Sequence, residues 1–399
     1  MLSNRQLFLQ NVAQTSDFPL MLEIERAEGI YMYDTAGKQY LDLISGIGVS
    51  NVGHRHPHVT NAIKAQVDEY MHLMVYGEFV QSPQVKLASA LIATLPEHLN
   101  SVYFVNSGSE AIEGALKLAK RYTGRSEMIA CHNAYHGSSH GALSATGDEG
   151  FKNAFRPLLP GFDHIHYGAY SQLDRITTKT AAVLIETIQG EAGVRISCSN
   201  YFKALRERCN ETGTLLIFDE IQCGFGRTGR LWAFEHFDVH PDILVSAKGM
   251  GGGMPIGCFI SSQDLMGTLK NDPILGHITT FGGNAVCAAS SLATLEVIQS
   301  ENLLEAVPQK ERLFRKHLKH PAIKQIRSIG LFMAIEFESF DILKPVIDRA
   351  IELGVVTDWF LFCNNSMRIA PPLIITENQI IDACKIILSA INDIIGQNA

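Results

Sequence analysis

The sequence predicts an α/β protein with a large domain built on a mostly parallel sheet and a smaller α+β domain. Short β-rich runs alternate with segments of helical period between about residues 45 and 280, which is the pattern of strands joined by helical crossovers. The clearest apolar runs lie at 102–105, 182–185, 214–218 and 243–246. One long helix is expected over 284–303, followed by strands near 331–337 and 367–370 and a last helix near 377–394.

The length of 399 residues fits one large domain and one smaller domain. We expect an N-terminal arm and hairpin over 1–45, a large domain over 46–285 and a small C-terminal domain over 286–399. The hairpin is predicted from two β-rich runs that flank the turn Asp-Thr-Ala-Gly at 34–37. The arm and hairpin are expected to form part of the small domain.

Composition excludes several classes of protein. Hydrophobic residues make up 46% of the chain and charged residues 19%, as in a well-packed globular enzyme. The net charge of −8 and the lack of a long basic run argue against a nucleic-acid partner. The eight cysteines form no CxxC pair, so neither a disulfide framework nor a zinc site is indicated. With neither a signal-peptide pattern nor a membrane-spanning run, we expect no membrane association and a cytoplasmic location.

A lysine stands at the end of a predicted strand. The apolar run 243–247 ends in Lys248 and continues into the glycine-rich segment 249–253, while the run 215–218 ends in Asp219. Ligands of open α/β sheets bind at the carboxyl ends of the strands. An amine and a carboxylate at that edge are the groups needed to hold pyridoxal phosphate, the amine through an imine and the carboxylate at the pyridine nitrogen. A buried Lys–Asp ion pair without a ligand explains these two residues equally well.

A second candidate feature is the start of a helix after the run 102–105. The following apolar face predicts a helix from about Ser109, and a helix N-terminus favours a phosphate group. Gly108 would allow close approach of the backbone, and the hydroxyls of Ser107 and Ser109 could donate hydrogen bonds. An ordinary serine N-cap is the alternative interpretation.

The segment 224–229, GFGRTG, matches the GxGxxG pattern of dinucleotide-binding proteins. That pattern should follow its strand directly, but residues 219–223 intervene. An acidic residue should also close the next strand, and here that strand leads into Lys248. A nicotinamide site is therefore not predicted.

Several further side chains follow predicted strands. Tyr135 comes after the run 129–131 and could stack on a planar ring, although such an aromatic residue is often part of the core. Glu186 and Glu191 place two carboxylates near the same sheet edge, where the alternative is solvated loop charge. His54 and His56 have no further ligand at matching spacing, so we interpret them as structural.

Together these segments resemble the class III aminotransferases, the ornithine, acetylornithine, 4-aminobutyrate and putrescine group, which have the aspartate-aminotransferase-like fold (fold type I of pyridoxal-phosphate-dependent transferases). The resemblance covers nearly the whole chain. It rests on GIGVSNVGHRHP (46–57), NSGSEAIEGALKLAK (106–120), YHG (135–137), ETIQGEAGV (186–194), FDEIQCGFGRTG (218–229), SAKGMGGGMPIG (246–257), TTFGGN (279–284) and MRIAPPL (367–373).

The resemblance implies a pyridoxal 5'-phosphate enzyme whose catalytic residues are Lys248, which forms the Schiff base and moves the proton, and Asp219, which pairs with the pyridine nitrogen. It implies that Tyr135 stacks on the ring, that Gln222 contacts the ring hydroxyl and that Thr280 reaches the phosphate of the neighbouring subunit in a homodimer with shared active sites. The remaining residues implied for cofactor binding are Ser107, Gly108, Ser109, His136 and Glu186. Those implied for substrate binding are Ile47, Ser138, Glu191, Thr279 and Arg368.

Glu191 and Arg368 match the family's paired gate. There the arginine binds the α-carboxylate of glutamate or 2-oxoglutarate, and the glutamate neutralises it when an ω-amine donor enters. The resemblance therefore implies 2-oxoglutarate as the acceptor and an acetylornithine-like or ornithine-like donor.

The chain departs from the family pattern at Ser138, where these enzymes usually have an arginine that holds the donor's distal carboxylate. A hydroxyl cannot form a bidentate charged pair, which favours putrescine or another diamine, with 4-aminobutyrate as a further option. Segments 141–161 and 277–284 also resemble putrescine aminotransferases. Thr187 replaces a usual proline. Rival interpretations are another pyridoxal-phosphate reaction, such as that of an aminomutase, racemase or decarboxylase, and a regulatory cofactor-binding domain.

Overall fold

The computed structural model describes residues 2–396, which form fifteen strands and thirteen helices besides short 3₁₀ turns. The strands are β1 Ile24–Glu28, β2 Tyr31–Asp34, β3 Gln39–Asp42, β4 Ser101–Val105, β5 Glu127–Cys131, β6 Phe162–Ile165, β7 Thr180–Glu186, β8 Leu215–Asp219, β9 Ile243–Ser246, β10 Gly257–Ser261, β11 Gln325–Ile329, β12 Phe332–Glu336, β13 Val355–Val356, β14 Asp358–Phe360 and β15 Cys363–Ile369.

The helices cover both faces of the largest sheet and flank the C-terminal strands. They are α1 Asn4–Asn11, α2 Ser45–Gly48, α3 Pro57–Glu69, α4 Ser82–Ile92, α5 Gly108–Thr123, α6 His140–Ala145, α7 Glu149–Lys152, α8 Ser199–Thr212, α9 Gln263–Gly267, α10 Ala285–Ser300, α11 Leu303–His317, α12 Phe340–Glu352 and α13 Glu377–Ile395. Within the one-turn segment α2, Gly46 and Ile47 have left-handed φ values of 60° and 65°.

The largest sheet has seven strands in the order β4-β10-β9-β8-β7-β5-β6. Neighbouring strands from β9 to β6 run parallel, and β10 runs antiparallel to both β4 and β9. Strands β7, β8 and β9 are buried along their whole length, since helices cover both faces. The mostly parallel sheet predicted from the sequence is therefore present.

The register of the central strands brings polar residues together at the carboxyl edge. Glu186, the last residue of β7, pairs with Asp219, the last residue of β8. Asp219 in turn pairs with Val245 of β9, three residues before Lys248. The carboxyl ends of parallel strands meet at one edge, so this edge is where a ligand site is expected.

Two four-stranded sheets lie outside the large sheet. One has the order β1-β2-β3-β13, in which the N-terminal hairpin pairs with Val355–Val356 near the C-terminus. The other is antiparallel, in the order β11-β12-β15-β14, and α11, α12 and α13 pack beside it. The hairpin thus shares a sheet with the C-terminal part of the chain, while the domain boundaries at 45 and 285 stay predictions.

The helix predicted over 284–303 ends three residues earlier in the structure, so its predicted C-terminal boundary was wrong. Helix α10 ends at Ser300, and α11 begins at Leu303 after Asn302, whose left-handed φ of 51° breaks the helix. The apolar positions continue through this break, so periodicity alone could not detect it. The last helix agrees with its predicted range to within one residue.

The segment 224–229 that resembles a dinucleotide-binding loop has a structural role. The Arg227 side chain is fully buried and donates to the carbonyls of Leu331 and Pro371 and to the side-chain oxygen of Asn51. Burial lowers the pKa of Arg227 to about 9. Arg227 therefore links three segments that are distant in the sequence.

All eight cysteines are free thiols, and six of them are buried. Cys198 is exposed and Cys363 is half-buried. No described helix combines the length and apolar character needed to cross a membrane. His54 and His56 pair with Asp42 and Glu301, and residues 2–396 contain no cluster of side chains suited to a metal ion.

Replacing Arg227 with methionine should lower the free energy of unfolding by about 3 kcal/mol, because three buried acceptors lose their donor. Urea denaturation measures the change. The control is Arg230→Met, three residues away on the exposed surface, for which we expect a change within about 0.5 kcal/mol. Equal stability of the two variants would contradict a linking role for Arg227.

Candidate active site

A cavity of about 710 Å³ opens at the carboxyl edge of the large sheet. Its wall contains the last residues of β7 and β8 and residues from the segments that follow β4, β5, β7, β8 and β9. Ten of the predicted site residues line it: Ser107, Gly108, Ser109, Tyr135, His136, Ser138, Glu186, Asp219, Gln222 and Lys248. The sheet edge thus brings together side chains from five separate sequence motifs.

Lys248 lies directly after β9, where the chain turns into a 3₁₀ segment over Lys248–Gly251. Its φ of 46° is in the left-handed region, which a non-glycine residue adopts only when surrounding structure enforces it. Burial lowers the pKa of Lys248, the Glu191 carboxylate opposes the shift, and the Arg368 guanidinium adds to it. Within residues 2–396, the Lys248 amine has no hydrogen-bond partner, so it is available to a ligand.

Asp219 is buried and held by two donors. His136 Nδ1 lies 2.8 Å from Asp219 Oδ2, and the Ile221 N–H donates to Oδ1 over 2.9 Å. His136 Nε2 is buried without a hydrogen-bond partner among the described residues. A carboxylate only accepts hydrogen bonds, so His136 donates to Asp219 from Nδ1. These contacts fix the direction in which Asp219 faces the cavity.

Helix α5 begins at the cavity, with Ser107 as its N-cap. The Ser107 hydroxyl accepts from the Glu110 N–H, so the ordinary N-cap interpretation is correct for this side chain. The first turn still presents backbone N–H groups to the cavity. A Cβ on Gly108 would lie 2.7 Å from Ile221 Cδ1, so a larger residue here would displace the Ile221 side chain. The helix start is suited to a phosphate group.

Ser139 is a member of this wall that the sequence analysis missed. Its hydroxyl lies 2.7 Å from Ser109 Oγ, and its N–H donates to the same oxygen over 3.1 Å. Ser139 also donates to Glu113 Oε1 over 2.5 Å. Ser139 lies just after the YHG motif and belongs to no recognised sequence pattern, so the sequence alone did not identify it as a site residue.

Glu186 orders the loop that carries Tyr135. Its two carboxylate oxygens accept from the N–H groups of Tyr135, over 3.1 Å, and Gly190, over 2.8 Å. Burial raises the pKa of Glu186, and the nearby Asp219 carboxylate raises it further. The Tyr135 hydroxyl lies 3.2 Å from Ser138 Oγ. Ser138 is exposed to the cavity and also contacts the ring that is predicted to stack.

Glu191 and Arg368 form a buried bidentate ion pair beside the cavity. Arg368 Nη1 lies 2.9 Å from Glu191 Oε1, and Nη2 lies 2.9 Å from Oε2. Burial alone would raise the pKa of Glu191, but the Arg368 guanidinium lowers it to about 2. Gln222, which lines the cavity, donates to Glu191 Oε1 over 3.1 Å. The predicted pair is therefore assembled and connected to the cavity through Gln222.

Arg368 has a second carboxylate partner that the sequence analysis missed. Its Nε donates to Asp358 Oδ1 over 2.9 Å, and the two residues are opposite each other in β14 and β15. Burial raises the pKa of Asp358 to about 6 even though Arg368 opposes the shift. Asp358 belongs to none of the recognised motifs, so only the strand register reveals the contact.

Five predicted residues are not in the cavity lining: Glu191 and Arg368, which lie beside it, and Ile47, Thr279 and Thr280. Ile47 lies in the left-handed turn α2, beside Gly48, which packs near Gln222. Thr279 Oγ1 accepts from Asn106 Nδ2 over 3.1 Å, which places it behind the start of α5. Thr280 is exposed on the surface of this chain. Its contact with the phosphate site of a neighbouring subunit stays a prediction.

The residues around the cavity fit pyridoxal phosphate. A lysine amine without a hydrogen-bond partner, a buried carboxylate oriented by His136, and a helix start with Gly108 offer contacts for its aldehyde, pyridine nitrogen and phosphate. Tyr135 supplies an aromatic ring in the same wall.

Residues 12–391 match the family described as aminotransferase class III, and the chain belongs to that family. It is an enzyme with the fold type I architecture of pyridoxal-phosphate-dependent transferases, and pyridoxal phosphate is its cofactor. The fold, family and cofactor predicted from the sequence are confirmed.

Particular relatives include the acetylornithine aminotransferase of Methanocaldococcus jannaschii, 39% identical over 91% of this chain and 92% of the relative. The putrescine aminotransferase of Pectobacterium atrosepticum is also 39% identical, over 91% of this chain and 80% of the relative. Among solved structures, the ornithine aminotransferase of Toxoplasma gondii superimposes with a TM-score of 0.91 at 31% identity, over 98% of this chain and 94% of that one. The enzyme is an aminotransferase that acts on an amino donor and a keto acid.

Proposed function

We propose that this aminotransferase moves the terminal amino group of a short aliphatic donor to 2-oxoglutarate, giving an aldehyde and glutamate. The observation that carries the proposal is the buried bidentate pair of Glu191 and Arg368 beside the cavity. Arg368 can hold a carboxylate only after Glu191 leaves it. Such an exchange suits an enzyme that accepts two unlike substrates in one pocket.

Three residues carry the proposed proton and charge chemistry. Pyridoxal phosphate, when bound, supplies the electron sink of the reaction. Lys248 Nζ would accept the proton from the terminal carbon of the donor and hold it as the ammonium for the return transfer, and its lowered pKa favours the neutral amine that this requires. Asp219, held by His136, keeps the pyridine nitrogen protonated.

The other predicted residues position the cofactor. The α5 start, with Ser107, Gly108 and Ser109, would hold the phosphate, and Tyr135 would stack on the ring. Gln222 would contact the ring hydroxyl, since it already lies between the cavity and Glu191. Glu186 acts through Tyr135, because it holds the Tyr135 N–H.

In the first half of the proposed cycle, Glu191 stays on Arg368, so an amine donor meets no free guanidinium. In the second half, Glu191 leaves and Arg368 binds the α-carboxylate of 2-oxoglutarate. An aminomutase, racemase or decarboxylase, which handles one substrate, would have no use for this exchange. Transamination is therefore the reaction that the pair supports best.

Two donor classes have separate support. The relatives named acetylornithine aminotransferase favour acetylornithine or ornithine. The cavity favours putrescine or another diamine: in the described chain, Lys248 is the only lysine or arginine in its lining, and Ser138 stands where a carboxylate-binding arginine is usual. A relative named putrescine aminotransferase is in agreement with this second class. 4-Aminobutyrate, which also carries a distal carboxylate, has less support from the cavity.

We also propose a homodimer with shared active sites. Segments 71–85 and 274–284 lie side by side, joined by hydrogen bonds from Gln84 to Gly283 and from Asn284 to Met71. Large apolar side chains are exposed along them, including Val80 at 94%, Ile274 at 77% and Phe281 at 56%. A second copy would cover this apolar surface and bring Thr280 to the partner's phosphate site. The cytoplasmic location stays a prediction.

A donor panel with 2-oxoglutarate tests the proposed reaction. Acetylornithine, ornithine, 4-aminobutyrate, putrescine, lysine and cadaverine are compared by kcat/KM, and glutamate is measured against aldehyde. We expect one glutamate for each aldehyde, with the diamines preferred. Product formed without any keto acid would contradict transamination, and acetylornithine clearly ahead of every diamine would contradict the inference from Ser138.

The variant Ser138→Arg should raise the ratio of kcat/KM for acetylornithine to that for putrescine at least ~10-fold, because a guanidinium can pair with the donor's carboxylate. Ser138→Gln is the control, since it adds similar bulk without the charge and should change the ratio little. If both variants shift the ratio equally, bulk rather than charge selects the donor at this position.

A charge on the exposed apolar surface should separate the subunits. For Val80→Glu we expect sedimentation analysis to show mainly single chains and activity to fall at least ~10-fold, because an unpaired charge is costly to bury at an interface. Phe155→Glu, at a side chain that is 59% exposed elsewhere on the surface, is the control. An active Val80→Glu protein that remains dimeric would place the interface elsewhere.

A further inference from the structure

The side chain of Arg368 has three contacts within its own sheet besides the ion pair with Glu191. Asp358 accepts from Nε over 2.9 Å, and the Trp359 carbonyl accepts from Nη2 over 3.3 Å. The Phe360 ring lies 4.5 Å from the guanidinium carbon, within the range of a cation–π contact. All three residues belong to β14, which pairs with the strand that carries Arg368.

The backbone of Arg368 is fixed in the same way. Its carbonyl accepts from Thr357 Oγ1 over 2.6 Å, and its strand pairs with β12 on the other side. Glu191 reaches Arg368 from the loop that follows β7 in the large sheet, and its carboxylate also accepts from the Leu361 N–H over 3.0 Å and from Gln222 over 3.1 Å. Movement of Glu191 away from Arg368 breaks these contacts but none of those between Arg368 and β14.

The two carboxylates that contact Arg368 bind different nitrogen atoms of its guanidinium group. The Nη1 and Nη2 atoms take both oxygens of Glu191, and Nε is taken by Asp358. When Glu191 leaves, a guanidinium without Asp358 would have a buried Nε–H with no acceptor, and only the Trp359 carbonyl and the Phe360 ring would still hold it. With Asp358 in place, the same two Nη atoms remain directed to the position that Glu191 vacated.

The charge balance around Arg368 also depends on Asp358. With one cation and two carboxylates, the group of Arg368, Glu191 and Asp358 carries a net charge of −1. Exchange of the Glu191 carboxylate for a substrate carboxylate leaves that total unchanged. After Glu191 has left, Asp358 still neutralises Arg368, so the open form does not hold an unpaired buried cation.

We infer that Asp358 is a positioning residue of the acceptor half of the reaction: it holds Arg368 so that both Nη atoms face the α-carboxylate of the keto acid after Glu191 moves away. The inference rests on the proposed function and goes beyond it, because it assigns a residue outside the Glu191–Arg368 pair. It also predicts that the two half-reactions differ in their dependence on Asp358.

The test measures each half-reaction separately by the change in cofactor absorbance. For Asp358→Ala we expect the KM of the acceptor half-reaction to rise ~10-fold with 2-oxoglutarate and equally with pyruvate, because both present an α-carboxylate to Arg368. The donor half-reaction should change less than ~2-fold, since Glu191 still covers Arg368 there. Asp358→Asn keeps an acceptor oxygen for Nε, so its acceptor KM should rise only ~3-fold.

A binding measurement provides a readout that does not depend on turnover. The dissociation constant of glutarate, an unreactive dicarboxylate, should rise ~10-fold in the cofactor-loaded Asp358→Ala enzyme by calorimetry. The matched control is Asp393→Ala, because Asp393 accepts from Nε of Arg349 over the same 2.8–2.9 Å distance but far from the cavity. That control should leave both half-reactions and glutarate binding unchanged.

The outcomes separate this inference from the proposed function. An unchanged acceptor KM in Asp358→Ala, or an equal loss in both half-reactions, would overturn the positioning role. A rise confined to 2-oxoglutarate would also overturn it, since it would place Asp358 at the distal carboxylate. If the wild-type enzyme converts no donor and leaves the cofactor absorbance unchanged, it is the proposed function that fails.

Discussion

The parallel pairing of β8 with β9 is the constraint on which the site depends. It sets Asp219 opposite Val245, so the chain that continues from β9 reaches Lys248 beside the same sheet edge. The pairing of β7 with β8 adds Glu186 to that edge. Because these strands are buried on both faces, a shift in register would move every core side chain as well as the site. Stability of the core and geometry of the site are therefore fixed by the same hydrogen bonds.

Each buried acidic side chain around this edge is hydrogen-bonded to specific partners. Asp219 is held by His136, and Glu191 by Arg368. Glu220, next to Asp219 but buried on the other side of the strand, accepts from the N–H groups of Ala233 and Phe234 and from the hydroxyl of Thr187. Thr187, at a position where proline is usual in the family, thus supplies a hydrogen bond to a buried carboxylate. Burial without such partners would cost several kcal/mol per charge.

The sequence predicted the parallel sheet and ten of the residues that line the cavity. Apolar runs that end in polar residues marked Glu186, Asp219 and Lys248, whereas His136 and Gln222 came from the family resemblance. The sequence did not predict contacts that depend on which segments are paired in the folded chain. Asp358 faces Arg368 only through the register of β14 and β15, and Ser139 reaches Ser109 only through the loop that follows β5. The break between α10 and α11 depends on one left-handed residue, Asn302, within a continuous apolar pattern. The role of Arg227 in the GFGRTG segment, which links three distant parts of the chain, is visible only in its contacts.

The most direct test of the central claim is to identify the lysine that bonds to the cofactor. The loaded enzyme is reduced with borohydride, digested and analysed by mass spectrometry, beside the variants Lys248→Ala and Lys310→Arg. Lys310 is a matched control, because burial lowers its pKa too, although it lies outside the cavity. We predict one modified lysine, Lys248, in the wild type and in Lys310→Arg, and none in Lys248→Ala. A cofactor adduct on any other lysine, or one that persists in Lys248→Ala, would contradict the account.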